Sequence, residues 1–328
     1  MSMLATLTLA SVAFSACALF ASLSVTLLWP FVHRASRIAH PRTRSRLAAW
    51  AAVGPFTLAS TLVVLCLLPG VLPWLGIADD HCTTHADHPH LCLVHASASF
   101  TPLLLVMAIS LTGPLVVAAS RRARAVVASV KTVSRLRRAA SESLGQGIRR
   151  IPSPRCVSMA VGVLDPVVIV SSGLTDSLER DQLEVVVAHE RAHVRRRDPL
   201  IRSLAALLSF PLPPSRRRHV LEELELASEQ ACDEEAAGIV GDRLRVAETL
   251  LAVERLGSRN AIAMPVTASG IAGGTLTPRV HAMLRDPIES APRGRAWRFV
   301  AVPLLALIAA DPVHHAVEHL VALLYGAR

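Results

Sequence analysis

The sequence predicts a mostly helical membrane protein, with about four transmembrane helices and a small α+β domain between the third and the fourth. Three observations predict it. Apolar residues make up 52% of the 328-residue chain and are gathered into long runs almost free of charge. The 34 Lys and Arg residues collect between those runs instead of being spread evenly. One polar stretch, residues 121–295, carries its own short apolar alternations and amphipathic patterns. The expected division is residues 1–120 as three N-terminal spans with short loops, 121–295 as the polar-phase domain, and 296–328 as a fourth span with a short C-terminal tail.

The first run, residues 4–32, holds no charged side chain and exceeds the roughly 20 residues a helix needs to cross the hydrocarbon core. A cleaved signal peptide fits it poorly: Lys and Arg are absent from the first five residues, the run is long, and a second follows closely. The second, residues 47–77, contains Pro55, Pro69 and Gly70, which predict a kinked or tilted helix. The third is residues 102–119. The fourth, residues 297–310, is too short to span alone and must extend through Asp311 and Pro312.

Orientation follows from where the cations lie. Arg34, Arg37, Arg42, Arg44 and Arg46 fill the first connection with no acid among them, whereas residues 78–99 hold Asp79, Asp80 and Asp87 but no Lys or Arg. Residues 121–138 are again densely basic. The positive-inside rule then puts the N-terminus outside, the first connection inside, the second outside, and the polar domain on the cytoplasmic side of a cell membrane. The net charge of +9 reads as a topology signal and an attraction to anionic membrane lipid. Direct nucleic-acid binding by the stretch from Lys131 to Arg138 is not expected, because basic helices beside a membrane serve its surface.

The polar domain carries the chemistry. Residues 157–170 alternate small and β-branched residues around Gly162 and Pro166, which predicts one or two short strands, and residues 171–175 read as a turn. Residues 178–197 follow as a helix whose run Val185, Val186, Val187, Ala188 must be largely buried. His189, Glu190 and His193 are set into that helix as an HExxH motif. Residues four apart share a helix face, so His189 and His193 can offer two imidazole nitrogens to one Zn2+, with Glu190 placed to take a proton from a water that the metal acidifies.

A third protein ligand is expected from the acidic stretch 222–235, read as a helix on which Glu225, Glu229 and Asp233 share one face. Glu229 is the candidate ligand and Asp233 a candidate acceptor from an imidazole N–H. Glu225 is a rival, and a solvated acidic face is the alternative. Between the two helices, residues 201–214 are apolar but short and hold Pro211, Pro213 and Pro214, so a docked helix is expected there, not a span.

Residues 161–200, VGVLDPVVIVSSGLTDSLERDQLEVVVAHERAHVRRRDPL, together with EQACDEE at 229–235, resemble the peptidase core of the BlaR/MecR-type family of membrane zinc metallopeptidases. The resemblance covers residues 155–240 well and extends loosely to the four-span layout. It implies a gluzincin-like, zincin-type fold and zinc-dependent cleavage of a cytoplasmic protein substrate, often a partner repressor of winged-helix type, after an external signal. It also implies His189, His193 and Glu229 as ligands and Glu190 as general base. That family's antibiotic receptors carry a large extracellular penicillin-binding domain; fewer than twenty residues follow Ala310 here, so sensing through such a domain is not expected. An HtpX-type quality-control peptidase is the alternative enzyme, and a non-catalytic membrane receptor or scaffold with a structural zinc site is the alternative of another class.

Other polar clusters are less specific. His81, His85, His88, His90 and His95 surround Cys82 and Cys92 in the second connection, where a solvated loop closed by a Cys82–Cys92 disulfide is preferred to a metal or pH sensor. Cys17 and Cys66 read as packing residues, and Cys156 and Cys232 as reduced thiols, none with a paired base. Asp311, His314, His315, Glu318 and His319 read as an interfacial tail and are assigned to no site. Residues 242–256 form an expected amphipathic helix and 257–274 a Gly/Ala/Ser-rich connector, a place where self-cleavage would fit.

Overall fold

The computed structural model describes residues 2–71, 76, 102–140, 142–145, 147–257, 268–269 and 275–288. The fourth span, the Cys82–Cys92 pairing with its histidines, and the cluster from Asp311 to His319 lie outside them. The described fold is mostly helical with one small sheet. Among the described residues three helices are long and apolar enough to cross a membrane: Leu7–Ser36, Pro41–Leu67 and Leu105–Ala139. They belong to α1 (Ser2–Ser36), α2 (Pro41–Val71) and α3 (Pro102–Ala139).

These helices run further than the apolar runs alone. The basic stretch after residue 119 continues α3 without a break to Ala139, because nothing between Pro114 and there interrupts a helix. The first connection shrinks to residues 37–40, and α2 opens with Pro41, whose fixed φ suits a first helical position. His40 Nδ1 accepts from Arg42 N at 3.1 Å and satisfies one of the free donors of that first turn. Helix α2 continues through Pro55 to Val71.

The chain divides into two compact units. In the unit built from Met1–Leu27, Gly54–Ala118 and Ala291–Arg328, the Ser15 and Thr112 hydroxyls meet at 3.0 Å and the Phe14 and Phe56 rings stack edge to face at 5.8 Å. Large apolar side chains such as Phe20 point outward and are exposed, as expected of helices whose solvent is lipid.

The second unit comprises Leu28–Val53 and Ala119–Ser290. Its sheet has the order β1-β2-β4-β3-β5, from β1 (Glu142–Gly145), β2 (Ile148–Ile151), β3 (Ser158–Val161), β4 (Val167–Ser171) and β5 (Ala268–Ser269). Strand β4 is central, antiparallel to β3 and parallel to β2, and buried along its whole length, which accounts for its uninterrupted VVIV run. Val167 and Ile169 pack with Met159, Val161 and Val133 of α3. The remaining helices are α4 (Ser172–Ser177), α5 (Arg180–Arg196), α6 (Asp198–Leu208), α7 (Pro214–Val240), α8 (Arg243–Gly257) and α9 (Leu276–Met283).

Segment 171–175, read from sequence as a turn, is instead the start of α4: Ser171 caps it by accepting from Leu174 N at 3.2 Å, and Leu174 is fully buried. Val185, Val186 and Ala188 of α5 join Leu174, Leu178 and the apolar faces of α7 and α8 in one core. Each fully buried side chain of this kind contributes roughly 1.5–3 kcal/mol. The apolar stretch after residue 200 forms α6, which lies against α5 and α7 within this unit. Strands β1 and β2 and helix α9 carry no pattern that marked them in the sequence.

Two glycines are required by close approach. Gly162, at φ +113° in the β3–β4 connection, would place a Cβ 2.5 Å from Asp165 O, and a Cβ on Gly173 would strike the Pro154 carbonyl. Gly162→Ala is expected to cost about 1–3 kcal/mol, from backbone strain and overlap together. Gly238, on the exposed face of α7 with open space around it, is the control: Gly238→Ala is expected to stabilise by up to ~1 kcal/mol. Opposite shifts of the thermal midpoint of the two variants check the pair.

Candidate metal centre

Helix α5 begins with the backbone N–H of Glu179 donated to the Gln182 side chain at 3.3 Å, a reciprocal arrangement typical of helix starts. It ends at Arg197, which adopts a left-handed conformation, φ 57°, the one positive φ outside glycine among the described residues. This turn separates α5 from α6 and brings Asp198 back towards the face it has just left, so that Asp198 Oδ2 accepts from His193 Nδ1 at 2.8 Å. Strain of this kind persists where the surroundings enforce it.

On that face the Nε2 atoms of His189 and His193 stand 3.1 Å apart. Helix α7 crosses α5 and adds Glu229, whose two carboxylate oxygens lie 3.4 Å from His189 Nε2 and 3.5 Å from His193 Nε2. Asp233, one turn further along α7, places Oδ1 2.9 Å from His189 Nδ1, close enough for an ion pair though off the line of a well-aligned hydrogen bond. Both imidazoles thus meet a carboxylate at Nδ1 and direct Nε2 towards Glu229, the arrangement that suits an imidazole ligand. Glu225 is elsewhere: its side chain is half exposed and accepts from Arg202 at 2.9 Å.

The donor set fits a divalent cation on three counts. Donors around a tetrahedral zinc with bonds of ~2.0–2.1 Å stand ~3.3 Å apart, close to the spacings of the two Nε2 atoms and the Glu229 oxygens. Neither Glu229 oxygen makes a hydrogen bond, although the residue is buried. The charges also point there: the buried carboxylates of Glu190, Glu229, Asp198 and Asp233 face the guanidinium groups of Arg196, Arg279 and Arg202, the last 3.6 Å from Glu229, which leaves an excess of negative charge that a dication would offset. Burial by itself would lower both imidazole pKa values, yet Asp233 and Glu229 raise that of His189, and the carboxylates of Glu229 and Asp198 raise that of His193 above the ordinary range.

Glu190 is buried, and burial raises its carboxyl pKa against the pull of the two imidazoles. Ser158 on β3 donates to its Oε1 at 2.8 Å, while Oε2 has no hydrogen-bond partner. A carboxylate held by one oxygen, with the other unengaged and its pKa moved towards neutrality, can take up and release a proton.

Three contributors carried no readable signal in the sequence. Asp198 stood out only as part of the resemblance, and its burial against His193 and Arg196 depends on the Arg197 turn. Ser158 is one serine among many. Arg279, on α9, is fully buried and pairs with Asp233 Oδ1 at 2.7 Å and Glu229 Oε2 at 3.2 Å; it holds the Asp233 carboxyl below its usual range, and together with His193 does the same for Glu229, against the cost of burial. A basic residue following Thr-Pro at a helix start is too common a pattern to single out. The structure also brings Cys232 within 3.3 Å of His193 Nδ1, a histidine partner that the sequence did not suggest. The thiol is fully buried, and burial pushes its pKa up to about 12, so it is a protonated packing group and not a nucleophile.

Asp198→Asn is expected to weaken zinc binding about 10–100-fold by loosening His193, measured by competition with a chromogenic chelator. Arg279→Gln leaves buried carboxylates uncompensated and is expected to destabilise the fold by ~3–5 kcal/mol, read from denaturant midpoints. Because ligation needs neutral imidazoles, whose pKa values in the metal-free site are raised, zinc affinity measured by the same competition is expected to fall with decreasing pH, starting above the ordinary imidazole range.

The curated relatives that this chain resembles include proteins named Protease HtpX homolog. That of Pyrococcus abyssi is 45% identical over 56 residues, 17% of this chain and 19% of the relative. That of Salinibacter ruber is 30% identical over 115 residues, 27% of this chain and 42% of the relative. That of Pyrococcus furiosus is 51% identical over 43 residues, 13% and 15% of the two chains. The chain therefore spans less than half the length of these relatives. No solved structure matches it. The family described as BlaR1 peptidase M56 matches residues 79–283, a stretch that includes every residue of the site above. With well over half of the sequence inside that match, this chain, which has three apolar helices of spanning length among its described residues, belongs to the BlaR1 peptidase M56 family.

Proposed function

We propose that the chain is an integral membrane zinc endopeptidase whose domain, residues 121–295, lies on the cytoplasmic side and cleaves cytoplasmic proteins, with a winged-helix transcriptional repressor as the substrate of a signalling event. One observation carries the catalytic part: beside a buried donor set of His189, His193 and Glu229, Glu190 keeps one carboxylate oxygen without a partner. A metal clip that served only the fold would need no such base and no open coordination position, which speaks against a silent receptor or scaffold. The arginines of the first connection and of α3 support the cytoplasmic orientation.

In this reading His189, His193 and Glu229 hold the metal, and Asp233 and Asp198 orient the two imidazoles through Nδ1. When bound, zinc polarises a peptide carbonyl and acidifies water. Glu190 takes the proton of the attacking water at its unpartnered oxygen as the water oxygen bonds to the carbonyl carbon. It then gives that proton to the amine nitrogen as the C–N bond breaks, so the base is regenerated. Ser158 keeps Glu190 in one orientation through both transfers.

The second reading, a quality-control peptidase, is favoured by the relatives named Protease HtpX homolog, which share local identity with this chain. Purified wild type, Glu190→Gln and His189→Ala, each supplied with a folded repressor-type protein and with an unfolded membrane protein, separate the readings. Wild type is expected to cut the repressor at a discrete site. Glu190→Gln is expected to keep zinc and lose at least ~100-fold in cleavage, while His189→Ala loses both. Digestion confined to the unfolded protein would move the assignment to quality control, and cleavage unaffected by Glu190→Gln would reject Glu190 as the base.

A further inference from the structure

Within the compact unit that holds the metal centre there is a second concave site. A cavity of about 270 Å3 opens between the first turns of α2 and the junction of α5 with α6. Its wall carries the side chains of Arg42, Arg46, Arg195 and Arg196, and the acidic residue lining it is Asp198. That carboxylate is already committed: it accepts from His193 Nδ1 at 2.8 Å and from Arg196 Nε at 3.1 Å. Arg196 is further fixed by donating to Ser45 Oγ at 3.2 Å, and Ser45 in turn donates to the Arg42 carbonyl at 3.1 Å. Arg195 pairs with Glu235 at 2.8 Å, while Arg46 is exposed. The site is thus a concavity with more guanidinium charge than carboxylate, in which Arg196 is held in place.

Guanidinium groups present planar forks of N–H donors, which match the oxygens of phosphates and carboxylates. The size agrees. Pockets for drug-sized ligands run from about 300 to 1,000 Å3, so this cavity suits a single head group with a short apolar stem. Ala49, Ile201 and Leu224 supply the apolar part of the lining. Its place in the chain is informative as well: Arg42, Ser45, Arg46 and Ala49 occupy the opening turns of the apolar helix Pro41–Leu67, the level at which a spanning helix passes the phosphate layer of a bilayer.

We propose that this cavity binds a phosphate group, with the head group of an anionic phospholipid as one source and a soluble phosphate as the other. The proposal is independent of the proteolytic reading, since it needs only the arginines and the cavity. The site is distinct from the metal centre, although the two share Asp198, which lines the cavity and holds His193.

The test uses the full chain purified in an uncharged detergent, with bound lipid counted by native mass spectrometry and affinity taken from titration of the thermal midpoint. The probes are phosphatidylglycerol, phosphatidylcholine and inorganic phosphate. Saturable, stoichiometric binding of phosphatidylglycerol over phosphatidylcholine is expected, weakened roughly thirtyfold in the Arg42→Gln, Arg46→Gln double variant. The Arg42→Lys, Arg46→Lys pair, which keeps the charge but not the planar fork, should recover only part of it. Arg34→Gln, Arg37→Gln, which removes basic charge beside the same membrane surface but outside the cavity, should leave it unchanged. Ala49→Phe, which fills the cavity and alters no charge, should abolish it and serves if the arginine variant does not fold. Equal, arginine-dependent binding of inorganic phosphate alone would support the site and assign it to a soluble anion. Phosphatidylglycerol held as tightly by the Arg42→Gln, Arg46→Gln protein as by wild type, or no saturable binding of either phosphate source, would overturn the proposal.

Discussion

Bringing Glu229 of α7 against His189 and His193 of α5 with almost no solvent forces much of the surrounding structure. Ionisable groups buried this close are costly unless each finds a partner of opposite charge or a hydrogen bond, and the unit supplies those partners from several directions. Arg279 comes in from α9 to meet Asp233 and Glu229. Asp198, swung back by the left-handed turn at Arg197, meets His193 and Arg196. Ser158 reaches from the sheet to Glu190. Helix α9, the α5–α6 turn and strand β3 are all placed by this requirement as much as by apolar packing. A dication would complete it, because four buried carboxylates still outnumber the guanidinium groups that face them.

The same helix α7 ties the metal centre to the ends of the apolar helices. Arg44, in the first turn of α2, donates to Glu223 Oε1 at 3.0 and 2.6 Å and to Gln230 Oε1 at 2.9 Å. Gln230 then donates to the Pro278 carbonyl at 3.0 Å, next to Arg279. A continuous polar chain therefore runs from the start of a spanning helix, through α7 and α9, to the carboxylates around His189. Its members are largely buried, where an electrostatic contact is stronger than in water and the loss of one partner is felt by the next. The phosphate cavity uses a neighbouring set of α2 residues, so the first turns of that helix face both a membrane-level anion site and the support of the metal ligands.

Much of this was legible in the residues. The apolar runs marked the three described spans because crossing a hydrocarbon layer demands length and freedom from charge, two properties a linear sequence displays directly. The HExxH spacing put His189 and His193 on one face because the helix repeat is local. The acidic face of α7 narrowed the third partner to Glu225 or Glu229, and the crossing of α5 with α7 separated them: Glu229 faces the imidazoles and Glu225 faces Arg202.

By itself, then, the sequence determined the helical membrane class, the motif helix and the acidic helix, since each depends on periodicities spanning a few neighbouring residues. Only the tertiary structure decided which carboxylates meet which imidazoles, that Asp198, Ser158 and Arg279 support the centre, and that Arg42, Arg46, Arg195 and Arg196 surround one cavity. Those are contacts between residues far apart in the chain or across a strained turn. They are fixed by how helices cross and how buried charge is balanced, and no local pattern encodes either.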